Sequence, residues 1–116
     1  MTFDVEIVLR ERNFAVTERI ESSVLPAEWT EREVAEVLKA ILLAVDRVKN
    51  PAALDRHVAL RGFSWIVEPT AEGVVIAIEM TTGAAVAGPF AVEQRRLDGL
   101  VSRVMAAAAP VRQTIH

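Results

Sequence analysis

Four short stretches of this chain alternate apolar and polar residues with period two, and they fall into two pairs. In the first pair, Phe3-Asp-Val-Glu-Ile-Val-Leu9 places Phe3, Val5, Ile7 and Leu9 on one face. Arg10 to Asn13 interrupts the pattern, and Phe14-Ala-Val-Thr-Glu-Arg-Ile20 resumes it. A four-residue loop over 10–13 pairs Leu9 with Phe14, Ile7 with Val16 and Phe3 with Ile20. The same register sets Asp4 against Arg19 on the opposite face, a favourable cross-strand pair. In the second pair, Phe63, Trp65 and Val67 share a face with Val74, Ile76, Ile78 and Met80. Pro69-Thr-Ala-Glu72 reads there as another four-residue loop, joining Val67 to Val74 and Trp65 to Ile76.

Between the two hairpins the period changes to that of a helix. Thr30 is placed as an N-cap with Glu33 at the third helical position, and Trp29 and Val34 flank them as a hydrophobic staple. Apolar residues follow at 34, 37, 38, 41, 42, 45 and 48, one stripe of a helix that stops at Asn50-Pro51. Asn50 can cap a further short turn through Arg56, with Pro51 at its first position. After the second hairpin, Thr81 to Gly88 reads as a small-residue connection. Pro89 then opens a second helix, apolar at 90, 97, 100, 101, 104, 105 and 108 and closed by Pro110.

These elements predict an α+β domain of order ββαββα. A four-stranded, mainly antiparallel sheet would carry two helices on one face. Overlaid at an offset near 60, the halves about 1–50 and 58–110 form a structural pseudo-repeat within a single domain spanning residues 1–116. With 116 residues, 52% of them hydrophobic, the chain can bury a core without disulfides, and intrinsic disorder is excluded. That core is aliphatic: 18 Ala and 17 Val stand against 4 Phe, 2 Trp and no Tyr.

Composition also narrows the chemistry. The absence of cysteine removes thiolate catalysis, zinc knuckles and redox motifs. A net charge of −3, with Arg95-Arg96 the only adjacent basic pair, argues against nucleic-acid binding. The first residues carry acids where a secretory signal needs bases. The longest charge-free run, Met80 to Val92, is too short to span a bilayer. A cytoplasmic protein without membrane contact is therefore expected.

Few residues offer a site. Glu18 falls on the apolar face opposite Val5, between Val16 and Ile20. Such a carboxylate is either a pocket base or an inward-pointing charge that blunts a sheet edge. His57 is the internal histidine, and with Glu18 it supplies the only candidate catalytic groups. A ligand pocket between helices and sheet would draw on Glu18, Trp65 and Arg95. No metal-ligand spacing is present, and neither a metal nor another cofactor is expected. The Thr81–Gly88 run precedes a helix but lacks the lysine and the spacing of a phosphate loop.

Association is the stronger signal. Val8, Ala15, Ile66, Val75 and Ala77 lie on the sheet face expected to meet solvent, among Asp4, Glu6, Glu68 and Glu79. Gly99 lies on the outer side of the second helix, where glycine costs ~1 kcal/mol relative to alanine and can mark close approach by another backbone. These residues predict a homodimer formed through Val8, Ile66, Val75, Ala77 and Gly99, with a small molecule or another protein as the alternative partner. The function expected is a non-catalytic, self-associating or small-ligand-binding module. The alternative is a small enzyme or ligand sensor using Glu18 with His57 or Arg95.

Overall fold

A computed structural model describes residues 1–108. Its elements are β1 (Thr2–Leu9), β2 (Ala15–Glu21), a short 3-10 turn (Pro26–Glu28), α1 (Glu31–Lys49), β3 (Phe63–Thr70), β4 (Gly73–Met80), β5 (Gly83–Phe90) and α2 (Gln94–Ala108). The strands form one antiparallel sheet of five, in the order β2-β1-β5-β4-β3. Both helices pack on the same face, α1 over β1, β2 and β5, and α2 over β3 and against α1. The helix stop expected at Pro110 lies outside the described residues.

The first hairpin has the register its alternation implies, with Phe3 opposite Ile20, Asp4 opposite Arg19 and Ile7 opposite Val16. Phe3, Val5, Ile7 and Leu9 are buried. Phe14, expected to pair with Leu9 over the core, instead precedes β2 and is 59% exposed. The second hairpin differs by two residues. Thr70 pairs with Gly73, so Val67 meets Ile76 and Trp65 meets Ile78. Pro69 remains within the strand because β3 is an edge, where a missing N–H breaks no ladder. The Thr70 hydroxyl closes the two-residue turn, donating to Gly73 O at 2.7 Å and accepting from Glu72 N at 3.2 Å. Because the shift is even, every side chain keeps its expected face.

The largest departure is β5. Residues 83–88 are not a connection, and Pro89 does not open a helix. Together with Phe90 they form the central strand, which makes the sheet five-stranded and inserts an element that breaks the expected repeat. Ala85 and Ala87 are buried beneath the helices. Each lies between larger branched neighbours, in the rows Ile7–Ala85–Ile78 and Val5–Ala87–Ile76. Small residues let β5 lie close to the strands beside it. A Cβ on Gly83 would stand 2.2 Å from the backbone oxygen of Val8. Pro89 is accommodated by an irregularity opposite Val74–Ile76, where Gly88 has φ +128° and precedes a cis peptide.

The helices follow from their ends. Trp29 and Val34, the expected staple, are both fully buried. The Trp29 indole donates to Val24 O at 3.0 Å, and its ring meets Phe90 edge-on at 4.9 Å. Phe90 in turn meets Phe3 at 5.0 Å. Thr30 has the extended backbone of an N-cap, but its hydroxyl donates to the Glu33 carboxylate instead of accepting from the helix. That bond is the main cause holding the Glu33 carboxyl below its ordinary range. At the far end, the short helix expected after Asn50 is absent. Arg56 reaches back to Asp46 Oδ2 at 2.8 Å and Asn50 O at 3.0 Å, fixing an irregular segment against the end of α1. The Asn50 amide, followed by Arg56, holds the Asp46 carboxyl below its ordinary range. Among the described residues, no helix is long and apolar enough to cross a membrane.

Two outcomes follow from this packing. Gly83→Ala is expected to destabilise the protein by at least about 2 kcal/mol, because its Cβ meets strand backbone that must separate to admit it. Urea unfolding midpoints would measure this, and an unchanged midpoint would refute the close approach. The Asp46 tie has a depressed folded pKa, so its stabilisation is complete above the ordinary carboxylate range, about pH 4. It is lost as pH falls below that. Asp46→Asn is expected to flatten the acid side of a pH series of those midpoints.

Candidate interaction surface

The helices leave the other side of the sheet bare, and the outward-facing residues form rows across it. One row holds Arg19, Asp4, Gly88, Val75 and Glu68, in strand order, its Gly88–Val75 step crossing the irregularity between β5 and β4. The middle row holds Thr17, Glu6, Val86, Ala77 and Ile66. The third holds Ala15, Val8, Ala84, Glu79 and Ser64. Val8, Ala15, Ile66, Val75 and Ala77 all lie on this face, as their alternation implies. Sequence reasoning missed Ala84 and Val86, which β5 inserts between them. Ile66 is 51% exposed, Val8 42% and Val86 41%. A shallow hollow of about 220 Å³ runs along Ile66, Ala77, Ala84 and Val86. The acids sit around this apolar band, and Asp4 is paired with Arg19 at 3.3 Å.

The remaining candidate residues are dispersed. Glu18 projects to the helix side of β2 opposite Val5, and Arg47 of α1 bonds its Oε1 at 3.1 Å. With 31% of its side chain exposed, Glu18 is neither enclosed nor unpaired. It is an inward charge on an edge strand, neutralised from the helix above. His57 is exposed in the irregular segment after α1, and Arg95 is exposed in the first turn of α2. Trp65 is half-buried against the core from β3. Among the described residues, no hydrogen bond or ion pair joins Glu18, His57 and Arg95. Among those residues, no cluster of three or more His, Asp or Glu could hold a metal ion.

An open groove of about 390 Å³ runs between the end of β2 and the first half of α1, with Phe3, Ile20 and Val37 below and Arg32, Glu33 and Glu36 at its rim. Its lining includes none of Glu18, His57, Trp65 or Arg95. Glu33 stays ionised at neutral pH under the Thr30 bond and is poorly matched to a general base working near pH 7.

Gly99 has a local account. The Arg103 side chain lies over it, 3.4 Å from where a Cβ would stand, on its way to Glu31 of α1 at 3.3 Å. That guanidinium end can shift by a few tenths of an ångström. Gly99→Ala is therefore expected to stabilise α2 by about 0.5–1 kcal/mol, measured by thermal unfolding. A loss of stability would show that the glycine is required by closer packing.

Comparison of the chain with protein-family models, with curated proteins and with solved structures returns no match.

Proposed function

We propose that this chain is a non-catalytic module that associates with a second copy of itself through the bare face of its sheet. The observation that carries this reading is the apolar band Val8–Ala84–Val86–Ala77–Ile66, contributed by four adjacent strands and left uncovered by both helices. A contiguous apolar surface of this kind gains free energy when another surface removes it from water, at about 25 cal/mol per Å². The edges are less suited to association. β2 carries the inward Glu18–Arg47 pair, and β3 carries Pro69, both of which disfavour strand addition. Contact through the face rather than the edge is what this arrangement favours.

Light scattering coupled to size exclusion tests the reading. The chain is expected to run as a dimer at tens of micromolar, and Val86→Glu is expected to convert it to a monomer. Because Val86 is 41% exposed, its thermal unfolding should shift by less than the equivalent of about 1 kcal/mol. A wild-type chain that stays monomeric across that range would end the proposal.

A further inference from the structure

Resting on the self-association reading above, we propose how the second copy is oriented. The two sheets stack across a two-fold axis that runs roughly along β5, with Val86 on the axis. Arg19 of each copy then faces Glu68 of the other.

Val86 occupies the middle row of the central strand, so it is the natural centre of the face. A symmetric face-to-face contact places its axis between the sheets, and aligned stacking permits two directions, across the strands or along them. An axis across the strands exchanges the outer rows and returns each middle-row residue to itself. Glu6 then faces Glu6, Ile66 faces Ile66, and Arg19 faces Ala15. An axis along the strands keeps the rows and reverses the strand order. Arg19 then faces Glu68 at both edges, Thr17 faces Ile66, and Ala84 faces Ala84. Asp4 then faces Val75, Glu6 faces Ala77, and Glu79 comes over Val8.

Charge decides between them. The first arrangement buries two like carboxylates against each other, which opposes association. The second keeps the two Glu6 carboxylates apart and gives Arg19, already paired with Asp4 of its own chain, a second acidic partner in the other copy, twice per dimer. Stacked sheets cross at about 30°, which displaces the edge residues by roughly 6 Å, a distance that an arginine and a glutamate can span together. The area is sufficient as well. Five strands about 4.8 Å apart, each about 25 Å long, present roughly 600 Å² per copy. The contact buries about 1,200 Å² in all, at the lower end for a specific interface.

The chain has no cysteine, so Val86→Cys and Ile66→Cys each introduce a single thiol for a short bis-maleimide. Val86→Cys is expected to cross-link into a covalent dimer. Ile66→Cys is expected to stay single, because an axis along the strands leaves the two Ile66 positions roughly 19 Å apart laterally. Cross-linking through both positions, or through Ile66→Cys alone, would overturn the axis while leaving self-association intact. Cross-linking through neither would overturn the axis, and self-association too where light scattering finds a monomer. Charge exchange gives a second readout by sedimentation. Glu68→Arg is expected to weaken the dimer about tenfold, and adding Arg19→Glu to restore it to within about threefold. Failure to restore, in variants whose melting shows them folded, would overturn the axis. If the charge variants do not fold, the cross-linking result decides alone.

Discussion

Phe90 takes an aromatic ring on each of two sides, Phe3 from the first strand and Trp29 from the turn that leads into α1. This three-ring series joins parts of the chain that are remote in sequence, and much of the architecture is positioned through it. Trp29 is fully buried and its indole N–H is satisfied, so the start of α1 is fixed in depth as well as direction. Its carbonyl also accepts a 2.7 Å bond from Arg96, which ties α2 to the same point. In a core otherwise made of valine, isoleucine, leucine and alanine, these rings supply the contact area that branched aliphatics of modest size lack. Both helices and the middle of the sheet therefore meet at one place.

The central strand works in the opposite way. Gly83, Ala84, Ala85, Ala87 and Gly88 contribute little side-chain volume, and that lack of bulk is their use. On the helix side, the alanines fit between branched residues of the neighbouring strands. On the bare side, Ala84 and Val86 complete an apolar band that β1, β3 and β4 hold only in fragments. One strand thus closes the core on one face and makes the other face continuous.

The parts of the fold that could be read from the sequence were those with contrast. Alternation in 3–9 sets large apolar residues against charges, so strand, face and register all follow, and 16–20 pairs with it as expected, although Phe14 falls outside β2. The stripe from Val34 to Val48 and the Trp29–Thr30–Glu33–Val34 start were legible for the same reason. Residues 83–88 offer no contrast, since alanine and glycine look alike on either face, and a buried strand of that composition resembles a loop. The signal that could have found it was the absence of charge from Met80 to Val92, as befits a strand covered by neighbours on both sides. Pro69 misled in another way. It has the chemistry of a turn residue, but an edge strand has no need of its missing donor. Of the bare apolar face, Val8, Ala15, Ile66, Val75 and Ala77 were visible, whereas Val86 at its centre depended on the strand that was not. Glu18 was correctly placed facing inward, but its partner Arg47 sits on a helix whose packing direction no local pattern specifies.

The sheet's middle strand is also its last in chain order, and this ordering governs assembly. β1 is flanked by β2, which follows it immediately, and by β5, whose residues pair Asp4 with Gly88 and Leu9 with Gly83 across most of the chain. β5 joins β4 through a two-residue turn, with Met80 opposite Gly83, so β3, β4 and β5 form a local meander. Until the β1–β2 hairpin docks on β5, each of these two units has an uncovered inner edge. The closing event is the single long-range ladder between β1 and β5, which must first overcome the closure of a loop spanning most of the chain. A chain ending before residue 83 would leave two hairpins and a helix with nothing between them, and both exposed edges would be open to pairing with other chains.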